Sequence, residues 1–202
     1  MTSVSVTRGT GLLESFLAKM RARKANQFIP RSHRQGRILD IGCGYYPYFL
    51  INTEFSERHR FDRLNRDNGD KIMRRHGVHL HSFDIEKDGP FFFEDEYFDV
   101  VTMLAVLEHI HPDKLKHVLR EIHRILKPGG RYILTTPVVW TEPLLRLMAR
   151  LNLVSHEELD EHKITYTPRS IALMLEEGGF ERRNIRVGTF EAFMNVYAVA
   201  TK

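Results

Sequence analysis

The run Arg37–Gly44, R-I-L-D-I-G-C-G, leads an apolar stretch (Ile38, Leu39, Ile41) into a pair of glycines. Asp40 stands two residues before Gly42, and Gly44 closes the turn. Glycines at the end of a strand let the backbone approach a ligand and adopt angles closed to other residues. The helix that should follow would aim its first N–H groups at the same ligand. An acid at this place suits an ammonium group and repels a phosphate. The chemistry therefore points to a nucleoside that carries an amino acid, and away from a dinucleotide pyrophosphate. Asp62 lies 22 residues beyond Asp40, the spacing at which an acid accepts from both hydroxyls of a ribose. Asp67 competes for that role, but it reads as the start of a helix.

Other reactive side chains fall into two groups. His109 has the ordinary pKa, near 6.5, of a general base at neutral pH, and a histidine that only orients its loop is the alternative reading. His162 is a second candidate base, in a charged segment that also holds His156 and Tyr166; Trp140 precedes it. Eleven histidines invite a metal reading, with His76, His79 and His81 in one group and His109, His111 and His117 in another. Neither group has the H-E-x-x-H arrangement, so no metal is expected. Cys43 is the single cysteine; it excludes an internal disulfide and a cysteine-built metal centre, and it reads as a small buried apolar residue.

These residues need a scaffold to position them, and the chain alternates strand-like and helix-like segments in the α/β manner. Strands are expected near 37–41, 58–62, 78–83, 97–103 and 131–136, with helices near 47–55, 67–76 and 112–126. Gly129-Gly130 reads as a helix stop and turn before the next strand. A further helix, P-R-S-I-A-L-M-L-E-E-G-G-F, precedes two alternating segments that form a final hairpin. The stretch 138–165 interrupts this rhythm at the edge where ligands bind in such sheets. It mixes apolar and titratable residues, as a pocket for an apolar acceptor with one polar nucleophile would.

At 202 residues the chain suffices for one full core. We divide it into an N-terminal basic amphipathic helix and linker (1–35) and a main domain (36–202) with the insertion at 138–165. Leu12, Leu13, Phe16, Leu17 and Met20 recur at helical spacing, which predicts a helix over 11–28 with that face packed near the mouth of the site. Residues 1–37 hold eight Lys and Arg against Glu14 alone, which leaves the remainder slightly acidic although the whole chain is at +4. The basic arm is placed to meet an anionic surface, and a solvated helix face is the plainer alternative. No apolar run approaches 18 residues, so no membrane span is expected. The start M-T-S-V-S-V-T-R lacks a signal-peptide core, and with the lone cysteine it predicts a cytoplasmic protein.

Five motifs occur in register: D-I-G-C-G at 40–44, F-D at 61–62, S-F-D-I-E at 82–86, Y-F-D-V-V-T-M-L-A-V-L-E-H at 97–109 and L-K-P-G-G-R-Y-I-L-T-T-P at 126–137. Together they resemble the class I S-adenosylmethionine-dependent methyltransferases, in the small-molecule branch of the methyltransferase type 11 kind, over roughly 36–201. The resemblance implies a Rossmann-like, doubly wound seven-stranded sheet, mostly parallel with an antiparallel last strand. It implies S-adenosylmethionine as cofactor and a small-molecule or lipid-like acceptor. Asp40, Gly42, Gly44 and Asp62 would hold the nucleoside and its amino acid. Asp84 would accept from the adenine amine, with the N–H of Ile85 on a ring nitrogen. Leu107 would pack at the methionine end or on the adenine, and Asp99 would be structural. Tyr46 stands where the family often has a glycine. The N-P-P-Y-like motif of DNA and protein-amide methyltransferases and the P-C pair of cytosine methyltransferases are absent, which makes a nucleic-acid acceptor the weaker reading. Three rivals remain open: a nicotinamide-dependent oxidoreductase, a non-catalytic module of the same fold, and an RNA methyltransferase that uses the basic arm.

Overall fold

We describe a computed structural model over residues 14–44, 47–63, 75–138, 166–190 and 195–202. Its frame is a seven-stranded sheet. The strands are β1 (Arg37–Ile41), β2 (Glu57–Asp62), β3 (Val78–Ser82), β4 (Phe98–Leu104), β5 (Leu126–Pro137), β6 (Ile185–Phe190) and β7 (Asn195–Thr201). Their spatial order is β3-β2-β1-β4-β5-β7-β6. The first five are parallel, and β7 runs antiparallel between β5 and β6. This is the doubly wound arrangement that the strand–helix alternation requires. The order reverses between β1 and β4, the switch point where such sheets open a crevice for ligands.

Helices cover both faces: α1 (Glu14–Gln27), α2 (Tyr48–Ile51), α3 (Pro112–Ile125) and α4 (Pro168–Glu177). The central strands are buried on both sides and so read as continuous apolar runs. On one face Leu39, Ile41, Val101, Met103, Tyr132 and Leu134 join the apolar stripes of α3 and α4. Pro112 at the first turn starts α3, and His111 caps it by accepting from the N–H of Asp113. Thr167 and Ser170 form a capping box at the start of α4. On the opposite face Ile38, Val100 and Ile133 pack against α1 and α2.

Several local expectations change in the structure. In α1 the buried residues are Ala22 and Ala25, with Ile29 just beyond the helix, whereas Phe16 is 58% exposed and Leu17 and Met20 are half-buried. Small side chains win here because the helix lies close on the sheet. Leu12 and Leu13, like most of the helix expected over 67–76, lie outside the described residues. The helix after the glycine turn is one turn long, Tyr48–Ile51. The K-P-G-G run is not a turn between elements: β5 already pairs with β4 at Leu126 and then shifts register, so the two glycines sit in a bulge of the strand. Gly129 and Gly130 exchange backbone hydrogen bonds with Lys202, and the ammonium of Lys127 reaches Asp99 at 2.7 Å. Asp99 also accepts from the N–H of Arg37 at 2.8 Å, which confirms its structural part.

Among the described residues, aromatic rings pack on β2 and β3. His59 stacks on His79 and His81, and Phe93, Tyr97 and Phe98 meet its edges. A ring nitrogen of His59 lies 3.0 Å from one of His81, and the other lies 2.7 Å from Glu57. Burial holds His81 down at about 4 and lowers His59 as well. Among the described residues no group of three His, Cys, Asp or Glu side chains has the arrangement of a metal site.

Candidate active site

Asp40 lies at the carboxyl end of β1, and the parallel register places it between Arg60 of β2 and Thr102 of β4. Register partners in a sheet share a face, so the acid is enclosed by these two side chains and is only 2% exposed. The hydroxyl of Thr102 donates to Asp40 Oδ1 at 2.6 Å. Burial pushes Asp40 up to about 7; the nearby Asp62 adds to this, while the Thr102 hydrogen bond and the Arg60 charge oppose it.

The glycine turn then folds over the end of β2. Gly42 has φ +75° and its N–H donates to Phe61 O at 2.7 Å. A Cβ at Gly42 would lie 2.5 Å from the side chain of Val106, so a larger residue is excluded twice over. Gly44, at φ +69°, donates its N–H to Asp62 Oδ2 at 2.6 Å. Asp62 thus clamps the turn while its other oxygen lies 3.9 Å from the guanidinium of Arg60. Asp40, Gly42, Gly44 and Asp62 are brought together as the spacing predicts. Cys43 sits among them with its thiol pushed up, mainly by burial and then by Asp40, so it carries no activated thiolate.

The remaining expected residues are arranged differently. Phe83 donates its N–H to Asp62 O, which places Asp84 beside this corner. Asp84 is half-buried; it accepts from Glu86 N–H at 3.0 Å and faces Lys87 at 3.6 Å, contacts that hold its own turn. Ile85 packs partly against the main core. Glu86 accepts from the N–H of His111, joining the loop after β3 to the segment after β4. Leu107 is corrected outright: it is fully buried in the main core and presents no surface to a ligand. His109 is half-buried, and its N–H donates to Val106 O. His162, His156, Trp140, Tyr46 and Asp67 lie outside the described residues.

Sequence reasoning missed Arg60, because nothing along the chain says that it faces Asp40; only strand pairing does. Glu108, expected with His109 near the mouth, is 2% exposed at the carboxyl edge of β4 and accepts from the hydroxyl of Thr136 at 2.9 Å, a partner that the sequence did not indicate. Tyr166, 6% exposed and bridged to Val138, lies near enough that the Glu108 charge adds to burial in raising its hydroxyl to about 12. Among the described residues the Tyr166 hydroxyl has no hydrogen-bond partner.

Comparisons with known proteins agree with this architecture. The model of the methyltransferase domain family matches residues 13–184. A tRNA N(3)-cytidine methyltransferase of Gallus gallus is 29% identical over 129 residues, 58% of this chain and 35% of that protein. A demethylmenaquinone methyltransferase of Bacillus cytotoxicus is 32% identical over 114 residues, 48% of this chain and 47% of that protein. The chain spans from about a third to half the length of these curated relatives. Among solved structures, a SAM-dependent methyltransferase from Archaeoglobus fulgidus superposes with a TM-score of 0.65 at 18% identity, covering 94% of this chain and 97% of that one. The 1,6-didemethyltoxoflavin-N1-methyltransferase of Burkholderia thailandensis, solved with S-adenosylhomocysteine, gives 0.65 at 17% identity over 94% and 81% of the two chains.

Proposed function

Because this chain belongs to the methyltransferase domain family of class I fold, we propose that it moves a methyl group from S-adenosylmethionine to a small-molecule acceptor. The observation that carries the reading is the pair of buried acids at the glycine turn, Asp40 and Asp62. The donor set fits the cofactor. Two carboxylates beside two glycines of positive φ suit a cation and a vicinal diol, and would repel a pyrophosphate. In this reading Asp62 accepts from the ribose hydroxyls and Asp40 faces the ammonium of the methionine end. Asp84 and the N–H of Ile85 meet the adenine.

Bound S-adenosylmethionine supplies a methyl group already activated by its sulfonium. The protein's task is then alignment of the acceptor and exclusion of water. His109, half-buried at the lip formed by β4, takes the proton of the acceptor, and His162 is the second candidate for that step. Glu108, Thr136 and Tyr166 form the polar floor on the acceptor side. An acceptor with an apolar body and one hydroxyl or amine matches this mixture. The single cysteine fits a reducing compartment, and we place the protein in the cytoplasm. No described helix is long and apolar enough to cross a membrane.

The test is calorimetry with S-adenosylmethionine and S-adenosylhomocysteine, followed by an acceptor screen that reads formation of S-adenosylhomocysteine. Binding without turnover on any acceptor would turn the reading toward a non-catalytic module. A second reading, an RNA acceptor, is favoured by one observation: Lys19 and Arg23 are exposed on α1 beside further cations at Arg21 and Lys24. It predicts RNA binding that falls steeply with salt. Vesicles of anionic lipid are the control for the same basic surface.

A further inference from the structure

β2 carries an unusual residue for an inner strand. Its sequence E-R-H-R-F-D puts Arg60 near the carboxyl end, where it is 4% exposed. A guanidinium buried to this extent is costly unless charges or hydrogen bonds compensate it. Two acids do so. Asp40 is its register partner across β1, and Asp62 Oδ1 lies 3.9 Å from its Nη2. Cys43, from the glycine turn, also hydrogen-bonds it. Among the described residues the charged groups that act on Asp40 are Arg60 and Asp62, and β4 contributes the hydroxyl of Thr102.

Two carboxylates and one guanidinium give the ionised cluster a single net negative charge. We propose that Arg60 is a positioning residue of the cofactor cleft, a buried counter-cation that holds the Asp40 and Asp62 carboxylates as a pair facing the ammonium and the ribose of the nucleoside. The proposal rests on the cofactor reading above. S-adenosylmethionine and S-adenosylhomocysteine both carry the ammonium and the ribose diol that this pair would face, so the binding of both depends on Arg60. Without it, two carboxylates at one buried corner cannot both ionise cheaply. Asp40, which burial already raises to about 7, would hold its proton to higher pH, and the ammonium would lose its anionic partner. Asp62 would also lose the cation that orients its second oxygen while Gly44 holds the first.

The experiment is calorimetric titration of wild type, Arg60→Met and Arg60→Lys with both nucleosides between pH 6 and 9. At pH 7, Arg60→Met should bind S-adenosylmethionine about tenfold more weakly, the scale of one hydrogen bond or ion contact to a charged group. S-adenosylhomocysteine, which keeps the same ammonium and ribose, should weaken by a similar factor. The pH at which S-adenosylmethionine affinity reaches half its limit should rise by about one unit in the Met variant and return most of the way in Arg60→Lys. Weakening by the same factor at every pH, with a lowered melting temperature, means a merely structural arginine and overturns the proposal. If Arg60→Met does not fold, Arg60→Lys carries the test alone. Its smaller, unforked cation should still raise that midpoint measurably, and an unchanged profile overturns the proposal. Wild-type protein that binds neither nucleoside overturns the cofactor reading and this proposal together, whereas normal wild-type binding with unshifted variants overturns this proposal only.

Discussion

The carboxyl edges of β1–β2 and of β4–β5 both bury acids, but they stabilise them by opposite means. At the first, Asp40 and Asp62 are answered by a guanidinium and by the N–H of Gly44. At the second, Glu108 is answered by the neutral hydroxyl of Thr136, with the Tyr166 phenol nearby. Every partner at the first edge comes from adjacent strands or the turn between them, so sheet register alone sets the geometry. The second edge draws on Tyr166, which returns to the sheet only after the insertion. A ligand common to a whole family can be met by the first kind of edge. A ligand particular to one chain is better met by the second, where loop sequence can change without disturbing the sheet.

The largest effect should come from the first edge. Asp62→Ala removes the carboxylate that would hold the ribose and also the acceptor of the Gly44 N–H. S-adenosylmethionine affinity should fall by about 1.5–3 kcal/mol, read by calorimetry. Thr136→Val tests the second edge and should act on stability instead. Glu108 loses its hydroxyl donor inside the core, which costs about 1.5 kcal/mol in denaturant unfolding. Cofactor affinity should stay within about twofold, because among the described residues the Thr136 hydroxyl bonds Glu108 and not the glycine turn. If Thr136→Val weakens the cofactor as much as Asp62→Ala, the two edges form one cooperative site and the contrast between them is wrong.

This contrast also explains what could be read from the chain. The meeting of Asp40, Gly42, Gly44 and Asp62 was legible because it follows from spacing along one strand–turn–strand unit. The seven-stranded, mostly parallel sheet with an antiparallel last strand came from the resemblance, and the structure agrees with it. Arg60 and Thr102 were not legible, since a side chain's neighbour across a parallel pair depends on register, and register is set by the whole sheet. Leu107 was misread for a related reason: apolar residues at a loop resemble ligand-lining residues until the packing is known. The alanines of α1 carry little hydrophobic signal, so the leucine and phenylalanine spacing suggested the wrong inner face. The histidine stack escaped notice because His59 lies on β2, away in sequence from His79 and His81.

Titration separates two kinds of burial again, this time on the two strands that flank β2. Asp40 is raised to about 7 from an unfolded value of 3.8. Its contribution to stability is therefore full below 3.8 and is lost as pH rises through about 7. Cation binding has the opposite sign, since it needs the ionised form. Affinity for S-adenosylmethionine should climb between pH 6 and 8, at most tenfold per unit, and Asp40→Asn should flatten the climb. His81 is lowered from 6.5 to about 4 by burial and by the neighbouring His59 and His79, with Glu57, Arg37 and Tyr97 around His59. Its contribution is full above 6.5 and is lost as pH falls through about 4. Thermal melts should therefore show acid weakening over that window, reduced in His81→Gln, which can still hydrogen-bond His59. An unchanged acid limb in that variant would remove the histidine stack from the account.

The smallest effect is expected at Phe16, and it bears on what α1 contributes to either edge. The helix is held by Ala22, Ala25 and Ile29 in the core and by Lys24, whose ammonium lies 4.5 Å from the ring of Tyr197 and 5.2 Å from that of Phe28. Phe16 takes no part in this anchoring, and most of its surface faces water. Truncating an exposed side chain away from caps and core changes stability by no more than about 0.5 kcal/mol. Phe16→Ala should therefore melt like the wild type and bind S-adenosylmethionine with unchanged affinity. Ala25→Leu is the contrasting variant, because added volume in a packed core costs about 1–3 kcal/mol. If both hold, α1 is fixed to the sheet by its alanine face while its aromatic residue stays available. A drop in acceptor turnover for Phe16→Ala alone would then assign that ring to the acceptor side. Unchanged turnover would leave α1 as a covering helix, with the insertion and the β4–β5 edge to choose the acceptor by themselves.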